Sequence, residues 1–142
     1  LIRKRFKIKK NEGLKKSLKK LILKNKKNIK KLEKIIHPKV RKKMINFSLK
    51  NKNKKFLFYE IPLLIESKLM KFFDIIIFIK SKKKLRFKRF NSKLGNNKLF
   101  DLLNRKQLSD KKKIKFCDHV VVNDKNLKIL KKNLSTIIAK YE

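Results

Sequence analysis

The chain has 142 residues and a mass of 17.2 kDa, enough for one domain with a hydrophobic core and too little for two comfortable ones. Its 46 Lys and Arg against 10 Asp and Glu give a formal charge of +36, which would ordinarily point to nucleic acid or an anionic membrane surface. The single cysteine, Cys117, excludes an internal disulfide and fits a reducing cytoplasm, and the longest apolar runs, "IPLLI" and "IIIFI", fall far short of the ~20 residues of a membrane helix.

The opening "LIRKRFKIKK" lacks an apolar h-region and a small-residue cleavage site, so it does not read as a signal peptide. It also lacks an initiator Met, and the expectation is a chain that begins mid-protein. Leu14, Leu18, Leu21 and Ile22 recur at helical spacing with lysines between, and Ile29, Leu32, Ile35 and Ile36 repeat the pattern. The intervening "NKKN" supplies turn chemistry. Pro38 suits the first turn of a following helix that buries Val40, Met44, Ile45 and Phe47 and ends at "KNKNKK".

The character then changes. "FLFYEI", "DIIIFI" and "HVVVN" are short, rich in β-branched or aromatic residues, and apolar on both faces, which predicts buried parallel strands. Helical patterns fall between them, at residues 66–72, 82–90, 98–106 and 110–116, and residues 126–141 place Leu127, Leu130, Leu134, Ile137 and Ile138 on one face of a closing helix. Helices crossing between parallel strands define an α/β fold. Three strands are few for such a sheet, so the expectation is a partial one.

Ligands of open parallel sheets sit beyond the carboxyl ends of the strands. "FLFYEIPLLIES" puts Glu60 and Pro62 at such an end, in a stretch free of lysine. A carboxylate there can hold a metal-bound water or accept from a substrate hydroxyl, and proline stops the strand so that the next turn faces a ligand. Glu60 capping a strand and Glu66 favouring a helix N-terminus remain the plainer alternatives.

Five blocks, "KKLEKIIHPKVRKKM", "FLFYEIPLLIES", "FDIIIFIKS", "DLLNRKQLSDKKK" and "CDHVVVND", resemble in order and spacing the dephospho-coenzyme A kinase family, with its L-E-x-I-x-H-P, D-x-P-L-L-[FY]-E and Q-x-x-x-x-x-K patterns. The resemblance runs from Leu14 to the C-terminus. It implies a P-loop kinase that uses ATP and Mg²⁺ to phosphorylate the ribose 3′-hydroxyl of dephospho-coenzyme A, the last step of coenzyme A synthesis. The implied fold is a partial parallel sheet of a P-loop kinase core, with a helical substrate-binding part at residues 1–50, core segments at 51–80 and 117–142, and a helical lid at 81–116.

By the same resemblance, His37, Glu60, Pro62, Glu66 and Gln107 are expected at the substrate, and Arg89, Lys93, Lys106 and Asn123 at the nucleotide. His37 and Pro38 match the family's His-Pro, where the histidine serves substrate or caps a bend between helices. Glu60 stands where many members have Asp, one methylene longer. Lys93 replaces the second arginine of an R-x-x-x-R spacing, which loses a bidentate fork. Gln107 and Lys113 keep family positions, and Lys106 stands for an arginine. Asn123 and Asp124 follow the last strand, beside the adenine in the family, although "ND" also forms ordinary turns.

One motif is absent. A P-loop, G-x-x-x-x-G-K-[ST], needs two glycines five positions apart, the second directly before Lys, and this chain has glycine only at Gly13 and Gly95. An Asn-Arg pair of the family is replaced by Leu14 and Lys15. No residue is therefore expected to be catalytic or to ligate a metal, and the sequence reads as an N-terminally truncated kinase without turnover of its own. The alternatives are a lysine-rich RNA- or ribosome-binding module and another P-loop nucleotide kinase. Six scattered arginines and the absence of a recognition motif weigh against the first; joint enrichment of Lys, Asn and Ile fits AT-rich codon bias instead.

Overall fold

The computed structural model describes residues 1–142, the side chain of Leu94 excepted. The chain divides into two compact units, Leu1–Glu60 and Ile61–Glu142.

The first unit is helical: α1 (Ile2–Arg5), α2 (Leu14–Lys24) and α3 (Lys27–Lys50). The "NKKN" turn forms as the sequence suggests. Asn25 donates its backbone N–H to Leu21 O at 3.0 Å, its side chain accepts from Lys27 N at 2.9 Å, and Asn28 Nδ2 donates to Leu21 O at 2.9 Å. These bonds satisfy helix-end groups that a plain linker would leave to water. Ile8 and Ile29 are the buried apolar residues here.

Two expectations fail in α3. Pro38 starts no new helix; it lies within one continuous 24-residue helix. Proline removes one i→i−4 bond, but His37, Pro38 and Lys34 are all exposed residues, so the freed carbonyl of Lys34 belongs to the water-facing side of the helix. The stripe beyond Pro38 is not buried either: Val40, Ile45 and Phe47 are 46%, 54% and 46% exposed. The 11-residue α2 is too short to cover a partner of 24 residues.

"FLFYEI" forms no strand. Residues 56–61 have no ladder partner, and Phe58 is 65% exposed. A strand needs a hydrogen-bonded neighbour as well as β-prone side chains, and none stands beside it among the described residues. The segment is held by Tyr59 instead, whose hydroxyl lies 2.5 Å from Ser48 Oγ and whose ring meets Phe47 edge-on at 5.5 Å.

In the second unit the expected helix at 66–72 is two shorter features. Residues 63–67 make one helical turn, with Ser67 N bonded to Leu63 O; Lys68, at φ 56°, closes it by donating to Ile65 O while Leu69 N reaches back to Leu64 O. This is the paired bonding of a left-handed helix stop, with buried Leu69 as its apolar partner. A 3₁₀ turn, Met70–Phe72, follows.

Two parallel strands come next in the ladder, β1 (Ile77–Lys80) and β2 (His119–Val122), in the register Ile77 with His119 through Lys80 with Val122. Between them run α4 (Lys83–Leu94), α5 (Asn97–Asn104) and α6 (Asp110–Ile114), and α7 (Leu127–Ile138) follows β2. The architecture is α/β with a small parallel sheet. The strands are not buried on both faces as expected: Val121 is 3% exposed, but Ile79, Val120 and Val122 are 46%, 39% and 51% exposed. With two strands in the sheet, each keeps an open edge among the described residues.

Local chemistry fixes the helix boundaries. Gly95 takes φ 51° and ends α4, Asn96 Oδ1 caps α5 by accepting from Leu99 N at 2.7 Å, and Asn126 Oδ1 caps α7 through Ile129 N at 3.0 Å. Phe100 is buried and takes Phe87 and Phe90 edge-on at 5.1 and 5.5 Å, which joins α5 to α4. Asp118 sets the sheet's starting register: its carboxylate accepts from Ile76 N at 2.7 Å and its own N–H donates to Ile76 O at 2.9 Å.

Candidate functional site

The carboxyl ends of β1 and β2 are tied together by Asp124. Its Oδ1 accepts from Lys82 N at 2.8 Å and from Ser81 Oγ at 3.0 Å, and Ser81 is buried. These hydrogen bonds, led by that from the Lys82 backbone and with Lys82 and Arg89 charges nearby, hold the Asp124 carboxyl below its ordinary value. The carboxylate also sits at the start of α4, where a negative charge meets the helix's unpaired N–H groups.

Arg89 and Asn123, both expected at the nucleotide, are brought together here. Arg89 Nη1 donates to Asn123 O at 2.9 Å, and Asn123 N donates to Lys80 O at 2.7 Å. The Asn123 peptide is thus engaged on both sides, while its side-chain amide has no partner among the described residues. Lys93 lies one helical turn beyond Arg89 on α4 and is exposed; the i, i+4 spacing puts both cations on one helix face. Lys106 is half-buried at the end of the turn after α5.

A second group gathers around Lys113. This lysine is buried, with its Nζ donating to Gln107 Oε1 at 2.8 Å, standing 3.7 Å from Glu66 Oε1, and lying 5.5 Å from the centroid of the Phe78 ring. Glu66 Oε1 also accepts from Leu108 N at 2.7 Å. Glu66 and Gln107, expected at the substrate, therefore share one buried cation. The remaining expected residues lie elsewhere in the two units: His37 and Glu60 are exposed in the first and their side chains make no hydrogen bond or ion pair among the described residues, and Pro62 is exposed at the start of the second. Lys113, expected only to keep a family position with Gln107 through the Q-x-x-x-x-x-K spacing, is the centre of this group, and Ser81 was not expected at the site; a serine directly after an apolar strand was the available signal.

Cys117 is half-buried and donates to Lys113 O at 3.1 Å. Burial, with help from the Asp118 charge, raises its pKa above the ordinary 9.0, so it is a weak nucleophile at neutral pH. No group of three or more His, Cys, Asp or Glu suited to a metal ion occurs among the described residues, and no helix is long and apolar enough to cross a membrane.

Parallel strands joined through helices, with Arg89 held against Asn123 beyond their carboxyl ends, define an α/β protein whose ligand edge, by the general rule for open parallel sheets, would lie at that end. The chain superposes on the crystal structure of TT1252 from Thermus thermophilus with a TM-score of 0.66 over 89% of this chain and 66% of that one, at 24% identity, which shows a shared fold. The pattern of the dephospho-CoA kinase family (CoaE) matches residues 2–128, and the chain belongs to that family. It is similar to the dephospho-CoA kinases of Fusobacterium nucleatum, 36% identical over 124 residues, and of Rickettsia bellii, 31% identical over 113 residues. These alignments take in 84% and 79% of the chain but only 62% and 59% of the relatives' own length.

Proposed function

We propose that the chain serves ATP-dependent phosphorylation of the ribose 3′-hydroxyl of dephospho-coenzyme A, in the cytoplasm. Family membership across residues 2–128 carries this reading. Residues 1–50 act as the helical substrate-binding part, 51–80 and 117–142 as nucleotide-binding core, and 81–116 as lid.

In this reading the exposed His37 and Glu60, Pro62 and the second acidic residue Glu66 serve dephospho-coenzyme A, together with Gln107. Arg89, Lys93, Lys106 and Asn123 serve ATP. The residues present suit the nucleotide: only Nη1 of Arg89 is engaged, on Asn123 O, which leaves most of its donors for phosphate oxygens, and the Asn123 amide offers a donor and an acceptor of the kind adenine pairs with. ATP supplies the phosphoryl group. Mg²⁺, which the family implies, finds no carboxylate cluster among the described residues. Phosphoryl transfer rests on positioning and charge stabilisation, and these 142 residues contain no glycine-rich phosphate cradle. By themselves they are expected to bind but not to turn over.

Calorimetric titration of the purified chain with dephospho-coenzyme A and with ATP tests the binding role. A second experiment fuses a strand–loop–helix segment bearing G-x-x-x-x-G-K-[ST] ahead of Leu1 and compares 3′-phosphorylation of dephospho-coenzyme A with that of adenosine. Uptake of dephospho-coenzyme A and preferential phosphorylation of it are the expected results. A chain that binds neither ligand, or a fusion that prefers adenosine, overturns the reading.

A further inference from the structure

Lysine is a donor only, whereas a glutamine amide has one accepting oxygen and one donating nitrogen. The 2.8 Å bond from Lys113 Nζ to Gln107 therefore settles which way the amide is turned: Oε1 faces the buried cation, and Nε2 points away. That nitrogen has no partner among the described residues, and Gln107 is half-buried. Glu66 reinforces the arrangement twice. Its Oε1 takes the N–H of Leu108, the residue next to Gln107, and its charge stands 3.7 Å from the Lys113 ammonium. Backbone and side chain of the 107–108 segment are both pinned, and the pinning leaves two N–H bonds of Gln107 unused.

Resting on the function proposed above, we infer that Glu66 and Lys113 are positioning residues which present Gln107 as a hydrogen-bond donor to a phosphate oxygen of the bound ligand. Neither Glu66 nor Lys113 needs to touch the ligand. A polarised amide donor suits an anionic acceptor oxygen, which forms stronger bonds than a neutral one. Both dephospho-coenzyme A and ATP carry such oxygens, and separate titrations distinguish them.

Gln107→Glu is the first variant. It keeps an acceptor oxygen for Lys113, now as a charge-assisted bond, and removes both donors. The full chain carrying it should melt no lower than the wild type yet bind the phosphate-bearing ligand about tenfold more weakly, the loss expected of a hydrogen bond to a charged group. Because the new carboxylate also repels phosphate, Gln107→Met, which removes the donors without adding charge, is titrated beside it; a purely structural Gln107 would leave affinity unchanged in Gln107→Met. Lys113→Met frees the amide to turn and should also weaken binding, with Lys113→Arg restoring it; if Lys113→Met does not fold, the double variant Glu66→Gln, Lys113→Met removes both charges and takes its place. In ¹⁵N spectra of the wild-type chain, the Gln107 Nε2 resonances should shift on titration with whichever of dephospho-coenzyme A or ATP uses the donor. Unchanged affinity in Gln107→Met, or unmoved Nε2 signals under saturating ligand, overturns the positioning role and leaves the kinase reading standing. A wild-type chain that takes up neither ligand overturns both.

Discussion

Glu66 and Lys113 form an ion pair of 3.7 Å whose side chains are only 14% and 8% exposed. Removing one member of a shielded pair leaves the other charge in a poorly solvated place, a loss of about 3 kcal/mol or more. Glu66→Ala also strips the acceptor from Leu108 N. Both Glu66→Ala and Glu66→Gln should therefore lower the urea midpoint, and the alanine variant further, by about 1 kcal/mol, because glutamine loses the same charge but keeps an oxygen for that N–H. Equal midpoints for the two variants would show that the Leu108 bond contributes nothing.

Phe100 joins α5 to α4 by edge-on contact with Phe87 and Phe90. Phe100→Ala opens a cavity at a site that is 7% exposed, and such truncations cost about 3–5 kcal/mol. Denaturant unfolding followed by far-ultraviolet circular dichroism measures it. A loss below about 1 kcal/mol would mean that the two helices close over the gap.

Pro38 lies in the interior of α3 at an exposed position. Pro38→Ala restores a backbone N–H and removes the ring's clash, so thermal stability of the chain should rise, by up to about 3 kcal/mol. If the His-Pro pair serves dephospho-coenzyme A, the same variant should bind it less tightly. Greater stability with unchanged affinity assigns Pro38 no part in binding.

Asp124 gives an acid-side signature. Its folded pKa lies below the ordinary 3.8, so its contribution is complete above that value and drains away as pH falls through the lower folded one. Asp124→Asn should flatten the acid limb of a stability-against-pH curve below about pH 4 and leave the shape of the curve near neutrality unaltered. A variant whose acid limb matches the wild type would show that the bonds to Ser81 and Lys82 do not favour the ionised form.

The helices of the second unit were legible because each carries its own signal. Residues 82–90, 98–106, 110–116 and 126–141 show the 3.6-residue period, and Asn96, Ser109 and Asn126 stand where side-chain caps form. "FLFYEI" was misread because β-prone composition carries no information about whether an edge is available to pair with. Pro38 was misread because proline's penalty depends on whether the freed carbonyl meets water, a property of tertiary placement. At the site, Arg89 and Asn123 were both expected at the nucleotide only through family resemblance, and their contact with each other was not expected. The Glu66–Lys113–Gln107 cluster escaped local reasoning because its members meet across α6 and the turn before the 3₁₀ segment, a proximity that only the folded backbone creates.

The two-stranded sheet has a colloidal consequence. Among the described residues, Ile79, Val120 and Val122 lie on short strands with open edges, a surface that readily templates pairing with another chain. A net charge of +36 opposes any such encounter between copies through mutual repulsion. That repulsion reaches only a Debye length, about 10 Å in 0.1 M salt and 3 Å in 1 M. The lysine excess thus guards the bare sheet in dilute buffer, and concentrated salt withdraws the guard and favours precipitation.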